Sequence, residues 1–145
     1  MNTEVLEQPK AMFGAIQLKD LSGNAELTKL VLPLVKRACA FSAGRFTVDA
    51  IVDGMISGQY HLWGAMTPPV DLQAVAVTHI HGQTFEVLLI GGPHINELLA
   101  FMPSFEIMAK AVNCTKLTIA GPKTWDRLLP EGWKAAVTIY EHDLA

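Results

Sequence analysis

Two neighbouring apolar segments, Leu72–His81 and Thr84–Ile90, are separated only by Gly82 and Gln83. A two-residue connection with glycine first fits a type II′ turn, which matches the natural twist of a β-hairpin. The pairing sets His81 opposite Thr84 and His79 opposite Glu86. Apolar side chains occupy both faces of both segments, so neither face can be left to water. A hairpin of this kind belongs at the centre of a sheet with a layer on each side, which points to an α/β architecture.

The rest of the chain supplies those layers. Ala25 to about Phe41 carries apolar residues at helical spacing (Leu27, Leu30, Val31, Leu34, Val35 and Ala38), with Pro33 as a potential kink or late start. Thr47 can cap a shorter helix whose apolar stripe is Val48, Ile51, Val52, Met55 and Ile56, ending at Gly58. Tyr60–Met66 reads as a strand leading into the hairpin. After it come a short helix over 94–101, a helix over 105–112 ended by Asn113-Cys114, and a strand over 116–120. A short helix over 123–129 and a last strand over 134–140 complete the order. Met12 to Leu18 has strand character, but residues 1–23 as a whole are weakly periodic. They are expected to form an N-terminal arm, ordered on a partner, ahead of a domain spanning 24–145.

At 145 residues the chain is one domain. Half of it is hydrophobic and its mean hydropathy is +0.28. No apolar run reaches the roughly 18 residues of a membrane span, since Val75 to Ile90 is broken by His79, His81, Gly82, Gln83 and Glu86. The apolar excess therefore belongs in a full core or in contacts between copies, so a homo-oligomer is expected. With a formal charge of −3 and no basic face, nucleic acid is not an expected partner. Met1 to Gln8 is polar and acidic, unlike a secretory signal. Cys39 and Cys114, far apart in sequence, read as reduced, half-buried thiols.

This order of elements resembles the GNAT (Gcn5-related N-acetyltransferase) fold. The residues that carry the likeness are 43–47, 57–63, 74–80, 87–92, 109–114 and 125–133. More closely, the chain resembles small GNAT-like proteins encoded by tailed bacteriophages and prophages. The resemblance implies a mixed, mainly antiparallel central sheet flanked by helices on both faces. It also implies a virion-associated structural or accessory role in the head, neck or ejection apparatus, with other phage virion proteins as partners and the virion or host cytoplasm as location. The alternative it implies is an acetyl-CoA-dependent N-acetyltransferase acting on a host or phage amine.

Between those readings the loop after the hairpin is decisive. Active GNAT enzymes cradle a diphosphate with Gln/Arg-x-x-Gly-x-Gly/Ala and a helix N-terminus. Here the loop is Gly91-Gly92-Pro93-His94-Ile95-Asn96-Glu97, Pro93 has no N–H to offer, and no Lys or Arg lies between Arg45 and Lys110. Nor does Trp125 to Leu129 hold the Tyr that serves such enzymes as general acid. The expectation is therefore no catalytic residue and no cofactor. If the chain is an enzyme, Glu86 is its general base and Leu88, Leu89, Ile90, Gly91 and Gly92 hold acetyl-CoA. Trp63, Trp125, Trp133 and Tyr140 are candidate interface residues, with core burial as the alternative for the tryptophans. His79-x-His81 beside Glu86 is a conceivable seed for a metal site, but zinc needs three or four ligands, and no metal is expected.

Overall fold

The computed structural model describes residues 12–40, 42, 44–67, 71–92, 102–121, 129, 131–136, 142 and 144. Five strands form one sheet in the spatial order of the sequence: β1 (Met12–Ile16), β2 (Tyr60–Thr67), β3 (Asp71–His81), β4 (Thr84–Gly91) and β5 (Lys116–Ile119). The first four pair antiparallel, and β5 joins β4 in parallel. Helices α1 (Leu18–Ser22), α2 (Ala25–Ala40) and α3 (Val48–Ile56) precede β2, and α4 (Met102–Ala111) lies between β4 and β5.

The hairpin forms as its sequence dictates. His81 pairs with Thr84 and His79 with Glu86. Gly82 has φ +60°, and Gln83 is not among the residues with positive φ, as a type II′ turn requires. The carbonyl of Gln83 accepts from the N–H groups of Thr115 and Lys116 at 2.8 and 3.2 Å, which fixes where β5 begins.

Local chemistry also sets the helix ends. Asn24 Oδ1 accepts from the N–H of Leu27 at 3.1 Å to cap α2, and Thr47 Oγ1 accepts from that of Ala50 at 3.1 Å to cap α3. Pro33 is exposed and α2 runs through it without a break. At the end of α4, Asn113 adopts φ +62°, and the N–H groups of Asn113 and Cys114 bond to the carbonyls of Lys110 and Ala109. That pattern is a Schellman cap. This helix starts at Met102, earlier than expected, because Pro103 is accommodated in the first turn, where its missing N–H costs nothing.

Each sheet face carries its own core. Val31, Val35, Ala38 and Cys39 of α2 and Ile51 of α3 pack on Ile16, Leu62, Val75, Val77 and Leu89. On the other face, Met102, Phe105 and Ala109 of α4 pack on Ala65, Ala74, Ala76, Phe85, Val87 and Ile90. The fold is thus the expected GNAT-like sheet with helices on both sides. Among the described residues no helix is long and apolar enough to cross a membrane.

Several expectations need correction. Residues 12–22 are not part of an arm: β1 pairs along β2, and Ile16 is 5 % exposed in the core. The strand character of Met12–Leu18 is realised over Met12–Ile16, and pairing with a strand some fifty residues away ties it into the domain. The stripe expected on α3 is only half buried. Ile51 is covered, whereas Val52 and Ile56 are exposed, the latter at 68 %, because Gly54 turns inward and receives the ring of Tyr60. Leu30 of α2 is likewise exposed. The first residues of the expected last strand, Lys134–Ala136, have no strand structure. The expected helices over 94–101 and 123–129 lie outside the described residues, apart from Leu129.

Cys39 and Cys114 are free and buried in the cores of opposite faces. Burial raises the Cys39 thiol above its ordinary value of 9.0. The unfolded thiol therefore ionises first, so stability is retained below pH 9.0 and declines above it. Denaturant midpoints measured on either side of that pH should show the decline, and Cys39→Ala should flatten it.

Gly91 is where α2 touches β4. A Cβ there would lie 2.5 Å from the Leu34 carbonyl oxygen and 2.7 Å from the Ala38 Cβ, whereas one on Gly14 would meet nothing within 4 Å. Gly91→Ala is expected to cost about 1–3 kcal/mol, since helix backbone must move. Gly14→Ala should stay within about 0.5 kcal/mol. Urea unfolding of the two variants measures the contrast.

Candidate functional site

The site is set by one extra residue in β4. Val77 pairs with Leu89 and Thr78 with Val87, so Leu88 has no opposite number on β3. Such a β-bulge bends its strand and shifts its alternation. Before it, Val87 faces the α4 core. After it, Leu88 and Leu89 both lie on the α2 side, and Ile90 returns to the α4 core. On its other flank β4 pairs with β5 only from Thr84 to Val87, and one further bond joins the Ala120 N–H to the Val87 carbonyl at 3.1 Å. Leu88–Gly91 therefore extends beyond the ladder. β5 ends at Ile119 opposite Val87, and among the described residues nothing pairs with the outer flank of β4 beyond that point.

Next to the bulge, the face that carries α2 and α3 turns polar. Tyr60 on β2, His79 on β3 and Glu86 on β4 stand in one row across the sheet, and β5 adds Thr118 opposite Glu86. His79 Nδ1 lies 3.5 Å from Glu86 Oε2, with side-chain exposures of 18 % and 30 %. The Tyr60 ring meets the His79 ring edge-on at 5.7 Å between centroids, and the His81 ring lies 5.9 Å from that of His79. Among the described residues no group of three or more His, Cys, Asp or Glu is placed to hold a metal ion.

The residues singled out from sequence divide accordingly. Glu86 stands in the polar row. Leu88 is half-buried, and Leu89, Ile90, Gly91 and Gly92 are buried along the strand that leaves the ladder. Gly92 has φ +143°, which favours glycine. Trp63 and Trp133, candidates for an interface, pack instead against the α4 core. Trp63 Nε1 donates to Thr78 Oγ1 at 2.8 Å, and its ring meets Phe105 edge-on at 6.2 Å. Trp125, Tyr140 and the loop from Pro93 to Glu97 lie outside the described residues. The bulge and the role of Tyr60 were missed. The unbroken apolar run Val87–Ile90 hides a change of alternation, whereas Gly54 six residues ahead of Tyr60 was a usable clue to close ring packing.

No protein-family model and no curated protein matches this sequence. Solved structures do resemble its fold. The aminoglycoside N-acetyltransferase AAC(6′)-Iy, in complex with CoA, is 10 % identical with a TM-score of 0.64, over 97 % of this chain and 98 % of its own. An aminoglycoside acetyltransferase from an uncultured soil metagenomic sample, in complex with sisomicin, is 8 % identical with a TM-score of 0.62, over 92 % and 97 %. A GNAT family acetyltransferase from Staphylococcus aureus is 11 % identical with a TM-score of 0.56, over 93 % and 99 %. The fold is therefore that of the GNAT acetyltransferases. The expectation of no cofactor is corrected by these likenesses, since one neighbour was solved holding CoA.

Thr78 is 1 % exposed, and its hydroxyl serves the Trp63 indole. Thr78→Val keeps the shape and removes the acceptor. It should cost about 1 kcal/mol and shift tryptophan emission, as read by fluorescence-monitored unfolding.

Proposed function

We propose that this chain is an acetyl-CoA-dependent N-acetyltransferase acting on an amine. The observation that carries the reading is that β4 bulges at Leu88 and continues to Gly91 beyond the end of its β5 ladder at Val87. Among the described residues no strand takes up the outer flank of that segment, whose backbone groups are the ones a ligand lying alongside, as a strand would, is read to bond. The likeness to acetyltransferases of known structure supports it.

The described residues fit such a ligand at its pantetheine part. Leu88, Leu89 and Ile90 would hold it through their backbone groups, with Gly91 and Gly92 continuing the same segment. Bound acetyl-CoA supplies an acetyl group activated as a thioester. Glu86, directly or through a water, takes the proton that an ammonium must lose before its nitrogen can attack. The diphosphate end is less well served, because Pro93 offers no N–H and no Lys or Arg occurs between Arg45 and Lys110. Affinity should thus come chiefly from strand-like bonding, with a dissociation constant in the range of about 10 μM to 1 mM.

This reading displaces the virion role. The solved structures named above are acetyltransferases, which supports this reading over the virion role. The homo-oligomer rests on the apolar composition alone.

Titration calorimetry with CoA should show binding in that range. Thiol release from acetyl-CoA should appear with at least one of a polyamine, an amino sugar or a lysine peptide. Glu86→Gln should lower kcat by about 10²–10⁴-fold and leave CoA binding intact. An absence of both heat at millimolar CoA and thiol release would overturn the proposal.

A further inference from the structure

We infer that His79 is a positioning residue that presents the Glu86 carboxylate to the acceptor amine. The inference rests on the proposed role of Glu86. An ionised carboxylate only accepts hydrogen bonds, so an imidazole nitrogen facing it has to carry the proton. His79 Nδ1 faces Glu86 Oε2 at 3.5 Å, about half an ångström beyond a good N–H···O bond and closable by a small rotation. Catalytic contacts of this kind are often long before substrate arrives.

The arrangement is directional. Glu86 lies on β4, two residues before the segment that extends past the β5 ladder, whereas His79 lies one strand further in and is the less exposed of the two. A contact through Oε2 leaves Oε1 for the amine or an intervening water. Behind the imidazole, the edge-on Tyr60 ring limits its rotation, and that ring is itself seated against Gly54 of α3. Among the described residues Glu86 is the one ionic partner of His79. The pair sits directly before the bulge, with Thr78–Val87 as the next pair along.

The proton balance is simple. The ammonium gives one proton to Glu86, its nitrogen adds to the thioester carbonyl, the C–S bond breaks, and the thiolate takes the second proton that the nitrogen sheds. His79 keeps its Nδ1 proton throughout and holds the carboxylate in place.

The test uses the full chain, whichever amine of the panel above shows turnover, and four variants. His79→Leu removes the donor, while His79→Asn places an amide N–H close to where Nδ1 was. His79→Leu should lower kcat by between about tenfold and a hundredfold, with the CoA dissociation constant unchanged. His79→Asn should recover to within a few-fold of the wild type. Nitrogen-detected NMR of the histidines should show a protonated Nδ1 at His79, and the tautomer balance should move toward Nε2–H in Glu86→Ala. Wild-type kcat in His79→Leu, no recovery in His79→Asn, or an Nε2–H tautomer in the wild type would each overturn the inference. Full turnover in Glu86→Gln would instead sink the role of Glu86 itself. An absence of turnover in the wild type would sink the acetyltransferase reading and this inference together.

Discussion

The single unmatched residue at Leu88 is the constraint on which the rest of the architecture turns. Because β-strand side chains alternate, one added residue exchanges the faces of everything beyond it. Val87 and Ile90 therefore both reach the α4 core, although three positions apart, and Leu88 and Leu89 both lie on the α2 side. The parallel ladder to β5 ends at the residue before the irregularity, and β4 goes on to Gly91, where α2 lies against its backbone.

Around that irregularity the chemistry is spare. The segment from Phe46 to Ala109 contains no Lys or Arg, and α3 and the central strands contribute Asp49, Asp53, Asp71 and Glu86. Glu86 is the acid of that segment that stands next to the bulge, while Lys116 of β5 pairs with Thr84 on the same face. The polyanionic end of a coenzyme finds little charge complement in the same segment, so backbone hydrogen bonding has to carry more of the recognition. Shape is retained where charge recognition is thin.

What could be read from the sequence follows the range of the interaction. The Gly82-Gln83 hairpin, the Thr47 cap and the Asn113-Cys114 stop depend on neighbours a few residues apart, and all three form as the sequence implies. So does the two-sided burial of β3 and β4, because it is written in apolar residues at both parities. The strand character of Met12–Leu18 was legible, but not its place in the sheet, because that comes from distant pairing with β2. The bulge was hidden because a continuous apolar run looks the same with and without an extra residue. Trp63 was ambiguous because a tryptophan suits a core and a contact surface equally, and only the Thr78 hydroxyl and the Phe105 ring decide it. Glu86 was legible through its opposite number His79, a consequence of hairpin register alone.

The doubly accepting carbonyl of Gln83 bears on how the chain reaches this shape. The register of β5 is tied to the turn that holds that carbonyl, and the turn to the pairing of β3 with β4. The contacts of the antiparallel meander are local in sequence by comparison. Addition of the parallel strand waits on closure of the long connection through α4, the kind of non-local step that slows folding.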